Sequence, residues 1–188
     1  MGTDARVRYT KKVIHDAFLS LLREKNVRQI TVTELCRLAN INRATFYKHY
    51  RDAFDLLEQI EAGALEHLRD TARQIQGEDA MGHFVRLLER AREHHEEFAA
   101  IASENGDPHF SQRVSACLYE AARDTVLRHL LAGSESEKTM TCRFLEGGGS
   151  GVLDFWLCGG MQQEPEEVAR LIFRLSEAVI RRGFDEGA

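Results

Sequence analysis

Apolar residues return at every third or fourth position along almost the whole of this chain, and that spacing is the strongest limit on its fold. Ile14, Phe18, Leu21 and Leu22 outline one helical face, and Leu57, Ile60, Ala64, Leu65 and Leu68 a longer second one. Phe84, Leu87, Leu88 and Ala91 mark a third, and Val114, Leu118, Ala121, Ala122 and Leu130 a fourth. Val168, Leu171, Ile172, Leu175 and Val179 give the cleanest stripe. Strand-like alternation is scarce, and the only prolines are Pro108 and Pro165. The pattern predicts an all-α chain of roughly eight to ten helices.

Local punctuation sets the borders. Thr31 followed by Glu34 is a capping box, so a helix starts at Val32. Asn42 stands where an N-cap belongs, one residue before Arg43. Asn40 falls in the turn between these two short helices, where a left-handed backbone is often needed and Asn tolerates it. Asn105-Gly106-Asp107-Pro108 reads as a loop before a new helix. Pro165 suits the first turn of the last helix, where its missing N–H costs nothing.

At 188 residues the chain can bury a sizeable core, and its net charge of −5 argues against a uniformly basic nucleic-acid binder. The distribution of the charges points the other way. Residues 1–52 hold 11 Lys/Arg against 5 Asp/Glu, near +6, and the remainder holds 14 against 25, near −11. A basic head on an acidic body is the electrostatic footprint of a DNA-binding domain joined to another module. The charge break sets the expected division at residues 1–52 for the DNA-binding domain and 53–188 for a second, helical module, which the resemblance given below implies is regulatory and dimerising. No apolar run approaches the roughly 18 residues of a membrane span. The start, MGTDARVRYTKK, lacks the apolar core of a secretory signal, so the expected location is the cytoplasm with no membrane contact. Cys36, Cys117, Cys142 and Cys158 show no CxxC spacing. They read as cytosolic thiols, with a redox pair between Cys142 and Cys158 as the alternative.

The stretch Thr31 to Leu57, TVTELCRLANINRATFYKHYRDAFDLL, carries the chemistry. Its second short helix presents Arg43, Thr45, Tyr47, Lys48 and His49, which suits a helix laid in the DNA major groove. Arg43 can donate two hydrogen bonds to guanine O6 and N7, Thr45 offers a hydroxyl, and Ala44 a methyl against thymine. Tyr47, Lys48 and His49 suit phosphate oxygens, which fix register without carrying sequence information. Phe46 and Tyr50 pin this helix to a small core completed by Leu35, Leu38, Ala39 and Ile41. The alternative is a plain helical hairpin with a solvated charged face.

The same stretch resembles the N-terminal domain of the tetracycline-repressor (TetR) family of bacterial transcription regulators. The likeness rests on the Thr31 cap, Leu35, Ala39, Thr45-Phe46-Tyr47, Tyr50 and Asp55-Leu56-Leu57, and covers roughly residues 8–68. SGVLDFWL, then GGM and PEEVARL, is similar to the last two helices of one subgroup, marked by a GxxxFWL-type eighth helix. The resemblance implies a homodimeric repressor of about nine helices. Three would form the helix-turn-helix head, and the others a ligand-binding and dimerisation domain. By position it places Thr33, Arg43, Ala44 and Thr45 at bases and Tyr47, Lys48 and His49 at phosphates. The sequence departs from the family in three places. Asn40 stands where Gly is usual, and Asn42 where a small hydroxyl cap is usual. Ala53 stands where a Lys usually touches phosphate, with Arg51 as its substitute.

The acidic body is less explicit. Gly147, Gly148, Gly149 and Gly151 would each cost a helix about 1 kcal/mol relative to Ala, yet helical spacing continues on both sides. The segment is either a helix whose small residues admit a close partner or a flexible break. The resemblance maps it to the helix of the dimer bundle, which nominates Gly148, Val152, Phe155 and Trp156. Two heads spaced about 34–36 Å apart would read a palindromic operator. The last stripe, with Leu171, Leu175 and Val179, serves that pairing or the core of one subunit. The family binds an effector in this body. Phe84, Leu88, Phe98, Phe110, Cys117, Met140 and Phe144 are candidates to line a pocket for a small hydrophobic molecule, or are simply core.

Other function classes find little support. His94-His95-Glu96-Glu97 invites a metal reading, but adjacent histidines point about 100° apart on a helix, whereas metal-binding helices prefer i and i+4. No nucleophile elbow, phosphate loop or zinc spacing occurs, so no enzyme, metal or cofactor is expected. A helical adaptor whose basic head binds acidic protein is the remaining rival. It would show no base preference.

Overall fold

The computed structural model describes residues 2–73, 80–127 and 134–182, with side chains placed over 5–70, 81–120 and 134–181. Among the described residues the chain is all-helical: α1 (Gly2–Glu24), α2 (Val32–Leu38), α3 (Arg43–Tyr47), α4 (Ala53–Arg73), α5 (Ala80–Glu93), α6 (His95–Ile101), α7 (Phe110–Leu127), α8 (Glu135–Cys158) and α9 (Pro165–Arg182). A 3₁₀ turn, Val27–Gln29, joins α1 to α2. The class and the number of helices agree with the apolar spacing; Leu130, from the fourth stripe, lies outside the described residues. Two compact units emerge, one of Met1–Ala64 with Glu96–Phe110, the other of Leu65–His95 with Ser111–Ala188.

In the first unit α1 packs on α2 and α2 on α3. Ile14, Phe18 and Leu22 from α1, Leu35 from α2, Phe46 from α3 and Leu56 from α4 are completely buried. Side chains of this size are worth about 1.5–3 kcal/mol each when removed from water. The return of 96–110 to this unit is held by hydrogen bonds. The Asn26 amide donates to the Glu104 carbonyl at 2.7 Å, and the Asn105 amide donates to the Leu22 carbonyl at 3.0 Å. The Val27 N–H donates to the Asn105 carbonyl at 2.8 Å. His15 Nε2 lies 3.0 Å from Glu97 Oε1, and Arg23 reaches Glu96 at 3.2 Å. The rings of Phe98 and Phe110 meet with centroids 5.7 Å apart. Gly106 makes the turn possible, because a Cβ there would sit 2.2 Å from the Ile101 carbonyl oxygen.

In the second unit α9 packs against α5 and α8. The rings of Phe84 and Phe173 lie 5.9 Å apart. The glycine segment is helical: α8 runs unbroken through it, opened by a capping box between Ser134 and Glu137. One of its glycines has a clear steric reason. A Cβ on Gly149 would stand 2.1 Å from the Tyr119 ring, whereas Gly147, Gly148 and Gly151 face nothing within 4 Å. After α8 the chain reverses through Gly160 (φ 78°) and Met161 (φ 53°). Trp156, buried, donates its indole N–H to the Gln163 carbonyl at 3.0 Å. That bond ties the start of α9 back to α8.

Candidate nucleic-acid interface

The candidate interface is α2, the turn after it, and α3. Thr31 caps α2 reciprocally: its hydroxyl accepts from the Glu34 N–H at 3.3 Å, and Glu34 accepts from the Thr31 N–H at 3.1 Å. Glu34 also takes Lys25 at 2.5 Å. That ion pair, with the two bonds from Thr31, holds the Glu34 carboxyl down at about 2. The helix ends in a Schellman turn. The Ile41 N–H reaches the Cys36 carbonyl at 2.9 Å, and the Asn40 N–H reaches the Arg37 carbonyl at 3.4 Å. Asn40 stands at φ 52°, the left-handed position the turn demands. Asn42 then caps α3, its side-chain oxygen accepting from the Thr45 N–H at 2.8 Å.

These local bonds fix where α3 points. Phe46 is fully buried and Tyr50 nearly so, with ring centroids 5.7 Å apart. The opposite side of α3 faces outward. Arg43, Ala44, Tyr47 and Lys48 are exposed there, Thr45 and His49 are half-buried, and Thr33 is exposed on α2. Arg43 and Tyr47 are partnered across one helical turn. The guanidinium donates to the Tyr47 hydroxyl at 3.1 Å and lies 5.8 Å from its ring centroid. One of five guanidinium donors is enough for that bond, so Arg43 is oriented with donors to spare. Lys48 has no ion-pair partner among the described residues.

Leu38 differs from expectation, and Arg51 has a partner within the chain. Leu38, expected in the small core, is 47% exposed. It is the last residue of α2, where the chain turns away and no second layer covers it. Arg51 stands beside the interface but is bound within the chain. Its Nε and Nη2 donate to Asp55 Oδ1 at 3.1 and 2.9 Å, and its backbone N–H donates to Asp55 Oδ2 at 2.8 Å. These bonds lower the Asp55 pKa, the backbone bond foremost. Ala53 is buried at the start of α4 and offers no cationic group to a phosphate.

The candidate pocket residues are distributed over both units. Phe98 and Phe110 pair in the first unit, Phe84 and Leu88 are buried in the second, and Met140 and Phe144 are exposed. The second unit does contain a cavity of about 340 Å³, lined by Leu65, Arg69, Arg113, Ala116, Cys117, Tyr119, Glu120 and Glu146. Of the expected residues, Cys117 alone lines it. Arg69 and Arg113 carried no sequence signal, because only the fold brings them to one wall. The four cysteines are free thiols, and no group of three His, Cys, Asp or Glu able to hold a metal occurs among the described residues.

The candidate pairing residues divide as well. Trp156 is interior to its own chain, Val152, Leu171 and Val179 are half-buried, and Leu175 and Gly148 are exposed. Phe155, 74% exposed, lies on the same face of α8 as Met140, Phe144, Gly148 and Gly151, one helical turn after another. No described helix is long and apolar enough to cross a membrane.

A family model described as a transcriptional regulator C-terminal region, of the TetR type, matches residues 78–178, more than half of the chain. A curated relative from Bacillus subtilis (strain 168), named an uncharacterised HTH-type transcriptional regulator YxbF, is 41% identical over 58 residues. That stretch is 30% of this chain and 15% of the relative's own length. Among solved structures, a TetR transcriptional regulator from Streptococcus agalactiae 2603V superposes with a TM-score of 0.67 at 24% identity, over 92% of this chain and 96% of that one. The dihydroxyacetone kinase operon activator DhaS gives 0.61 at 22% identity over the same shares, 92% and 96%. The fatty acid degradation regulator FadR from Bacillus halodurans gives 0.59 at 14% identity, over 89% and 94%. At these identities the solved structures speak for the fold alone.

Proposed function

The chain belongs to the TetR family of transcriptional regulators, and on that premise we propose that it is a cytoplasmic, homodimeric repressor of sequence-specific, palindromic operators. The observation that carries this reading is the outward row of α3. Arg43 is oriented by Tyr47, and Lys48 is left without an ion-pair partner among the described residues, on a helix whose other side is anchored by Phe46 and Tyr50. In the proposal Thr33, Arg43, Ala44 and Thr45 meet base edges. Tyr47, Lys48 and His49 meet phosphates, and Arg51 joins them only by leaving Asp55. Residues 1–52 are the reading head and 53–188 the body that pairs and regulates.

The α8 face of Met140, Phe144, Gly148, Gly151 and Phe155 supports pairing with a second copy, helped by Leu171, Leu175 and Val179. Glycines lower the rim of α8 so that a partner helix can approach closely, and the aromatic residues give apolar area to bury. An isologous contact of this kind sets two heads in two-fold relation. The cavity is of a size that suits a small ligand, and it supports release by a small effector whose apolar part meets Leu65 and Cys117.

Selection of bound sites from a random DNA pool tests the proposal. A recovered palindrome supports it. Weak binding at low salt without an enriched motif would remove sequence-specific reading and favour the helical adaptor. A reporter placed behind the recovered site then reads the sign of regulation. Repression is expected, although one structural neighbour is named an activator.

A further inference from the structure

We propose that the N-terminal overhang of α1, Arg6 to Lys12, is a second phosphate-gripping arm that holds the DNA backbone alongside the site read by α3; this rests on the DNA-binding reading above. The first fully buried side chain of α1 is Ile14, and the buried stripe then continues through Ala17, Phe18 and Leu22. Stepping that stripe back along the helix lands on Lys11, Thr10, Val7 and Arg6. None of these four is buried. The helix therefore runs past the core it packs on, and two of the four positions where the stripe should be apolar, Arg6 and Lys11, are cationic. The other faces of the overhang carry Arg8, Lys12 and Tyr9, the last 68% exposed.

Charge decides what this surface meets. Lys12 is held by Asp16 at 2.7 Å, while Arg6, Arg8 and Lys11 have no ion-pair partner among the described residues. An exposed helical end without packing is marginal in water, and clustered cations make it more so unless an anion lies against it. The overhang belongs to the same compact unit as α3. That unit commits Arg51, the cation next to α3, to Asp55. A duplex backbone, with regularly spaced phosphates, supplies what three unpaired cations and an exposed Tyr hydroxyl can bind. An acidic protein surface would satisfy the charge but has no tie to the head that carries α3.

The test uses full-length protein and a mixed-sequence DNA duplex, with fluorescence anisotropy titrations over a series of salt concentrations. The variant R6Q/R8Q/K11Q should bind more weakly. Its slope of log K against log salt should be shallower by about 0.9 per lost contact, and the charge-keeping R6K/R8K/K11R should retain the wild-type slope. Should the triple variant lose its helical circular dichroism, R8Q alone carries the test with a slope change of about one contact. An unchanged slope and affinity in the neutralised variant, with wild type still binding, overturns the arm and leaves the α3 reading standing. Wild type that shows no salt-dependent binding overturns both.

Discussion

Replacing Gly149 by Ala should destabilise the protein, although the same change is favourable in most helices. Relieving a mid-helix glycine gains about 0.8–1 kcal/mol. At Gly149 the new methyl would stand 2.1 and 2.2 Å from two carbons of the Tyr119 ring. Tyr119 is among the largest fully buried side chains, so relief of the contact requires its ring to shift toward the cavity it lines. Overpacking of this kind costs about 1–3 kcal/mol and more where a ring must be displaced, so the clash outweighs the helix gain. The expected net loss is about 1–2 kcal/mol, a fall in Tm of roughly 2–8 °C for a chain of this size. Gly63 in α4 is the control, because a Cβ there meets nothing within 4 Å. Gly63→Ala should raise Tm by about 1–4 °C. Both variants and wild type are melted at one protein concentration, since the proposed pairing would make Tm concentration-dependent. A Gly149→Ala protein stabilised as much as Gly63→Ala would show that the Tyr119 ring does not rest on α8, and the packing described for that helix would be wrong.

Four further outcomes are expected. Arg43→Ala should cost about 1–3 kcal/mol and relax preference at one base position, whereas Lys48→Ala should weaken all sequences alike; equal losses on every operator would refute the division of roles. Asn40→Gly should stabilise the head by several tenths of a kcal/mol and Asn40→Ala should destabilise it by about 1 kcal/mol, because φ is 52° there; urea melts read both. Glu34 titrates at about 2 instead of 4.5, so its contribution is complete above about pH 4.5 and is lost as pH falls through about 2. Glu34→Gln should therefore be less stable than wild type at pH 7 and converge on it near pH 2, and a constant gap between the two denaturation midpoints would contradict the assignment. Phe155→Glu should leave the helical signal intact and shift sedimentation from dimer to monomer; a dimer that persists would place the pairing face elsewhere.

The head is legible in the sequence because its signals are short-range. Thr31 with Glu34, Asn40, and Asn42 with Thr45 act over three or four residues, so their chemistry is complete within the sequence that displays it. Phe46 and Tyr50 follow from helical spacing once the cap is placed. Leu38 keeps the same spacing as the core residues, and only the turn at Asn40 leaves it uncovered. In the body the deciding partners are distant. Apolar character at Trp156 does not distinguish an interior position from a pairing face; the bond to Gln163 does. By residue type Met140 and Phe144 suit a pocket, and only the unbroken course of α8 puts them on one face with Phe155. Arg69 and Arg113 meet at the cavity from positions more than forty residues apart in the chain.

The bonds from Asn105 back to Leu22 and Val27 have a consequence for how the protein is made. They close a loop of about eighty residues, so the head cannot complete its own interior when its reading helix first leaves the ribosome. It must wait for α6 and the turn at Gly106. Until then the Val27 N–H lacks the Asn105 carbonyl it donates to, and the α1 carbonyl at Leu22 lacks its amide. The compact unit that carries α3 is therefore discontinuous in sequence, and its completion waits on residues 96–110.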